Sequence, residues 1–208
     1  YDKSVVKNLS IKLNSDGIEL INANYKEAVS ISVNFLNEAI NNKIKLRISG
    51  KKDIFNKLFP IKNSTLLDCT AGYGRDSYIL RLMGFNVTMI ENSPVMSLLL
   101  NNALKKLKLL NFKMYHGNSY DYLNHSKENY DYIYIDFMFD KLKKNSLSSK
   151  NDETLKLVSF QENNKNDLIR LAIKKSNSRV VVKEPKHSLS DILKPEYTIK
   201  TKLLNFNI

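Results

Sequence analysis

From residue 64 onward the chain alternates short apolar runs with helix-length stretches, and this rhythm constrains its fold more than any other feature. The runs "TLLDCT", "NVTMIE", "FKMYHG" and "YDYIYIDF" are separated by "RDSYILRLMG", "PVMSLLLNNALKKLKLL" and "SYDYLN", a βαβαβ succession. Apolar strands that alternate with helices need cover on both faces of their sheet. The fold class expected is therefore α/β, a doubly wound, mostly parallel sheet of the Rossmann-like kind. A long helix is expected around residues 152–176, followed by "SRVVVKEP" as a buried strand and "YTIKTKLLNF" as a last edge strand. At 208 residues the chain can bury one sizeable core, and nothing in it demands a second.

Upstream the pattern differs. "LSIKLNSDGIELI" alternates apolar and polar residues around Asp16-Gly17, the chemistry of a β-hairpin turn. "YKEAVSISVNFLNEAI" places Ala28, Ile31, Val33, Phe35, Leu36 and Ile40 at approximately helical spacing, so residues 1–46 are expected to form a small hairpin-and-helix appendage. Next come Lys43, Lys45, Arg47, Lys51 and Lys52 around Gly50, either a solvated basic loop or an arm that meets phosphates. The Lys-, Ser- and Asn-rich run from 140 to 153 is expected to be a mobile loop.

The formal charge of +12 suggests a polyanionic partner such as nucleic acid. The dominance of Lys, Asn and Ile fits drift toward AT-rich codons equally well. Cys69 is the single cysteine and lies in an apolar strand pattern, where a small buried thiol is expected. His116, His125 and His187 show no ligand spacing with one another or with Cys69, so no metal is expected. No apolar run approaches the roughly 18 residues that cross a bilayer, and "YDKSVVKNLS" has no signal-peptide pattern; a cytoplasmic location is expected. The first residue is Tyr1 rather than Met, as expected of a chain lacking an N-terminal piece.

The stretch "LLDCTAGYGRDSYILRLMGFNVTMIE" carries the chemistry. Gly72 and Gly74 fit the first two places of a G-x-G-x-x-G dinucleotide fingerprint, but Ser77 occupies the third. Asp68, four residues before Gly72, is poorly placed beside a pyrophosphate and well placed beside a cationic amino-acid portion, such as that of S-adenosylmethionine. Glu91 ends the next strand, where an acid accepts hydrogen bonds from ribose hydroxyls in either cofactor class. Arg75 and Asp76 open the following helix. Asp76 favours its N-terminus through the dipole, and Arg75 is free to pair with Asp68 or with a cofactor carboxylate.

"LLDCTAGYGRDSYIL", "IENSPVMSLLLNNAL", "YHGNS", "YDYIYIDFMFDKLKK" and "RVVVKEP" together resemble, in order, the RsmJ family of bacterial small-subunit rRNA guanine-N2 methyltransferases. The resemblance spans about residues 47–187, and the T-A-G-x-G-R-D element is its most specific part. It implies a class I methyltransferase domain over residues 47–208, with transfer of a methyl group from S-adenosylmethionine to a guanine near the 3′ end of 16S rRNA. By position it implies cofactor contacts at Arg75 and Asp76, Glu91 and Asn92, Asn118 and Ser119, and Asp136. The chain departs from the family where D-P-M-F-P becomes Asp136-Phe137-Met138-Phe139-Asp140 and where Lys-Arg-Pro becomes Lys183-Glu184-Pro185. Asn92 and Asn118 stand where Arg and Ser are expected.

Within that reaction Asp136, or the backbone carbonyl of Phe137, is the candidate acceptor for an N–H of the exocyclic amine. Phe139 is either a base-stacking ring or a core residue. Lys141, Lys143 and Lys144, with Lys183 and Lys186 across the cleft and Lys51 and Lys52 upstream, are the candidate RNA contacts. Three rivals remain open at this point. They are an adenine-amine methyltransferase, because Asp-x-x-Phe resembles the motif used there, a non-catalytic RNA-binding remnant, and a nicotinamide-dependent dehydrogenase.

Overall fold

The computed structural model describes residues 8–37, 42, 49, 53–107, 112–137, 149–160, 164–186 and 193–208. Strands β1 (Leu9–Asn14), β2 (Gly17–Asn22) and β3 (Val29–Ile31) form a three-stranded antiparallel sheet, with Asn14 paired to Gly17 across the expected turn. The helix expected over "YKEAVSISVNFLNEAI" is replaced by β3 and an irregular segment that turns at Phe35-Leu36; residues 38–41 lie outside the described residues. Ile31, Val33 and Phe35 are buried, while Ser30, Ser32, Asn34 and Leu36 are exposed, so the operative period is two. β-branched residues at alternate positions favour a pleated strand over a helix. Nor is this sheet peripheral, because Leu20, Ile31, Val33 and Phe35 share a continuous core with Leu66, Met89, Leu100 and Tyr134.

Helix α1 (Ile54–Leu58) leads into the main repeat of β4 (Thr65–Asp68), α2 (Arg75–Leu82), β5 (Asn86–Glu91), α3 (Pro94–Lys105), β6 (Lys113–His116), α4 (Ser119–His125) and β7 (Tyr130–Asp136). There follow α5 (Lys150–Val158), α6 (Lys165–Lys175), β8 (Ser176–Pro185), β9 (Thr198–Lys200) and β10 (Leu204–Asn207). The seven strands from β4 on make one sheet in the order β6-β5-β4-β7-β8-β10-β9. β6, β5, β4, β7 and β8 are mutually parallel, and β10 runs antiparallel beside β8.

Alternation along the central strands divides the core into two layers. Leu66, Met89, Tyr132, Tyr134 and Val181 face one side with α1, α2, α3 and α5, whereas Leu67, Ile90, Ile133, Ile135 and Val182 face the other with α4 and α6. Cys69 is a thiol buried in the second layer, as expected. The single helix expected around 152–176 is two helices, with Ser159 and Phe160 beyond the end of α5. The last edge strand is a hairpin whose second arm, β10, inserts between β8 and β9, because Phe206 and Asn207 are buried there while Lys202 and Leu203 are exposed at the turn. The basic run at 43–48 and 50–52 and residues 140–148 of the expected mobile loop lie outside the described residues, whereas the end of that expected loop, 150–153, is helical and opens α5.

Candidate active site

In a doubly wound sheet the carboxyl ends of the strands meet a crevice where the strand order reverses, here between β4 and β7. β4 delivers Asp68 to that edge, and its side chain turns back on the loop. Oδ1 accepts from the Thr70 amide at 3.0 Å and Oδ2 from the Ser77 hydroxyl at 2.6 Å. Asp68 is 1 % exposed, and burial pushes its carboxyl up to about 6 despite those bonds. Gly72 (φ 51°) and Gly74 (φ 68°) supply the left-handed backbone that carries the chain from strand to helix. At Gly74 a Cβ would also stand 2.6 Å from Leu100 Cδ1, so the third-place serine and the two glycines are explained by packing and by the Asp68 bond.

Glu91 closes the loop from β5. Oε2 accepts from the Gly72 amide and Oε1 from the Ser93 amide, each at 2.7 Å, and burial raises this carboxyl above its ordinary range. Asn92 follows at the cleft wall. Asn118 caps α4 by accepting from the Tyr120 and Asp121 amides, and Ser119 donates to the Cys69 carbonyl at the cleft floor.

The β7 and β8 ends carry a polar cluster. Lys183 Nζ donates to Asp136 Oδ2 at 2.7 Å and to Asp76 Oδ2 at 3.0 Å, and the Tyr134 hydroxyl donates to the same Asp76 oxygen at 2.8 Å. The Asp136 amide donates to Thr70 Oγ1, tying β7 to the glycine loop. Asp136 Oδ1 is buried and has no hydrogen-bond partner among the described residues. Burial pushes the Asp136 carboxyl up to about 7, with Lys183 pulling the other way and Asp76 and Asp68 adding repulsion. Burial also disfavours the Lys183 cation, but the two carboxylates outweigh it and raise that ammonium.

These groups line one cleft of about 390 Å³. Of the residues expected from sequence, Asp68, Gly72, Arg75, Asp76, Glu91, Asn92, Ser119 and Asp136 line it, while Gly74 and Asn118 shape the loop and helix behind. Arg75 does not pair with Asp68; its guanidinium lies 5.2 Å over the Tyr73 ring, since both Asp68 oxygens are already engaged. Lys183 is corrected as well. Expected at the RNA backbone, it is 9 % exposed with its ammonium between two carboxylates, which leaves Lys186 as the exposed member of that pair. Phe139, Lys51, Lys52, Lys141, Lys143 and Lys144 lie outside the described residues. Tyr134, Thr70 and Phe160 are site residues that the sequence reading missed. Period-two alternation places Tyr134 on the same face as Asp136, a signal that reads as simple sheet packing until its hydroxyl partner is known.

The donor set answers what the glycine loop holds. A carboxylate fixed against two loop amides, a second with an unpaired oxygen, and a third buried at the β4 end suit a cationic sulfonium nucleoside and oppose a pyrophosphate. Glu91 lines the same cleft, and S-adenosylmethionine fits these residues. Sheet order and site together define a class I S-adenosylmethionine-dependent methyltransferase.

The family model described as "Putative SAM-dependent methyltransferase" matches residues 3–208. A ribosomal RNA small subunit methyltransferase J from Buchnera aphidicola subsp. Schizaphis graminum is 32 % identical over 96 % of this chain and 85 % of its own length. The protein of the same name from Coxiella burnetii is 32 % identical over 82 % of this chain and 70 % of its own. The chain belongs to this methyltransferase family. Among solved structures, a SAM-dependent methyltransferase from Neisseria gonorrhoeae superposes with a TM-score of 0.71 at 21 % identity, covering 96 % of this chain and 81 % of that one. The Thermus thermophilus 16S rRNA N2 G1207 methyltransferase, solved with AdoMet and guanosine, gives 0.52 at 13 % identity over 96 % and 49 %. Both likenesses show the fold. Membership of this family, rather than the shared fold, sets the nicotinamide reading aside. Among the described residues no helix is long and apolar enough to cross a membrane.

Proposed function

We propose that this chain methylates the exocyclic N2 amine of a guanine near the 3′ end of 16S rRNA. The family relatives carry small-subunit rRNA in their names, and the observation that carries the chemistry is the buried, unpaired Asp136 Oδ1 on the wall of the cofactor cleft. A carboxylate oxygen buried without a partner is costly until a donor reaches it, and an amine N–H is such a donor.

The guanine amine is a weak nucleophile because its lone pair is delocalised into the ring, so position matters more than general basicity. When bound, S-adenosylmethionine supplies an electrophilic methyl group on a sulfonium sulfur. Glu91 holds the loop and accepts from ribose hydroxyls through its remaining lone pairs. Asp136 Oδ1 accepts the N–H, orients the lone pair and takes the proton as nitrogen becomes positive. Tyr73, Phe137 and Phe160 supply aromatic lining against which a base can stack and from which water is excluded. Exposed Lys186 and the lysines at 51, 52, 141, 143 and 144 complete the RNA-binding set.

The test is tritium transfer from labelled S-adenosylmethionine to small-subunit rRNA, offered free and in the assembled subunit, followed by nucleoside mass spectrometry. N2-methylguanosine is expected. N6-methyladenosine instead would move the chain to the adenine-amine class, and binding of RNA without transfer would identify a remnant.

A further inference from the structure

Lys183 occupies a place that neither a backbone contact nor simple burial accounts for. Its ammonium joins three elements, reaching Asp136 at the end of β7 and Asp76 in the first turn of α2 from its own position on β8. The arrangement is directional. Lys183 engages Oδ2 of Asp136 while Oδ1 has no partner among the described residues, so the carboxylate is gripped by one oxygen and open at the other. Without a cation beside it, a carboxyl this buried and this close to Asp68 and Asp76 would hold its proton and lose its acceptor function.

We propose that Lys183 is a positioning residue of the transfer reaction, one that fixes Asp136 through Oδ2 and keeps it ionised so that Oδ1 can accept the N–H and then the proton of the reacting amine. The inference rests on the amine-methylation reading above. In the step it serves, nitrogen forms its bond to the methyl carbon as the carbon–sulfur bond of the donor breaks. Sulfur keeps that electron pair, and the N–H proton passes to Oδ1. The charged groups around Asp136 are Lys183 from β8, Asp76 from α2 and Asp68 from β4, with the Tyr134 hydroxyl from its own strand; Arg75, Glu91 and Lys165 line the same cleft.

The test needs no bound cofactor. Purified protein carrying carbon-13 in its aspartate carboxyls is titrated by NMR, with Asp136 assigned from the resonance lost in Asp136→Asn. In Lys183→Met the Asp136 midpoint is expected to rise by about 1 to 3 pH units, and Lys183→Arg should restore most of that shift. Asp76→Asn, which removes a competing anion, should move the midpoint down and serves if Lys183→Met does not fold. An unmoved midpoint in a folded Lys183→Met, or an unmoved or raised one in Asp76→Asn, overturns the proposal. The acid limb of the pH profile for transfer to rRNA should move with the midpoint in each variant, a change that a merely structural lysine would not produce. The expected shifts in the variants, together with no methyl transfer to rRNA by the wild type, would overturn the reaction while leaving the Lys183–Asp136 coupling established.

Discussion

Glu91 is fixed by two backbone amides, and Asp136 has one oxygen with no partner among the described residues; on the proposed reading, in which Glu91 serves the cofactor and Asp136 the substrate, the two carboxylates should fail differently when removed. Glu91→Ala loses a charged acceptor whose hydrogen bonds are worth roughly 1.5–3 kcal/mol each, so calorimetric titration should show S-adenosylmethionine affinity reduced by about 10- to 100-fold. Asp136→Asn removes the proton acceptor, and single-turnover transfer should slow by about 100- to 10,000-fold. The sign of the pH dependence follows from burial. Asp136 is raised to about 7, so its acceptor form is depleted below that pH, and kcat/KM should climb as pH rises through about 7 and then level off. A profile flat from pH 5.5 to 8.5 would contradict this. Glu91, Asp76 and Asp136 were legible in sequence because each sits at a strand end or helix start fixed by local pattern. The role of Lys183 was not, because its partners lie 47 and 107 residues away and only the assembled sheet brings them together.

At the scale of elements, the turn from β4 into α2 depends on Gly74, where left-handed backbone coincides with contact against Leu100. Gly74→Ala should cost about 1–3 kcal/mol of stability, read as a lower urea midpoint with the slope unchanged. Phe35 makes a second test. It stacks on Tyr78 of α2 with centroids 4.6 Å apart and is 3 % exposed, so Phe35→Ala should cost about 3–5 kcal/mol in the same unfolding transition that melts the main sheet. A separate early transition would mean that the N-terminal strands fold as an appendage after all. The spacing of Ala28, Ile31, Val33, Phe35 and Leu36 satisfied a helical template loosely. What decided the matter was cross-strand pairing of β3 with β2, a tertiary fact to which single-sequence periodicity is blind. Similarly, "YTIKTKLLNF" carried strand propensity throughout, but the tight turn at Lys202-Leu203 that makes it a hairpin lacks the glycine or Asn-Gly that would have announced it.

The whole molecule follows the pattern that the βαβ rhythm dictated, a doubly wound sheet with its cleft at the reversal between β4 and β7. Strand order within that sheet was not written in the rhythm, since the insertion of β10 between β8 and β9 depends on which edges remain open after the parallel core has formed. The +12 charge belongs to this scale too. If it serves RNA binding, affinity for rRNA should fall by about tenfold or more between 50 and 200 mM salt, as phosphate neutralisation requires, while S-adenosylmethionine affinity stays level. The central claim is that the cleft passes a methyl group to a guanine amine of the small-subunit rRNA, and the most direct measurement is nucleoside mass spectrometry of that rRNA after incubation with the protein and S-adenosylmethionine. The account predicts N2-methylguanosine with wild type and its loss with Asp136→Asn. The same yield from both proteins, or methylation on any other atom, would contradict it.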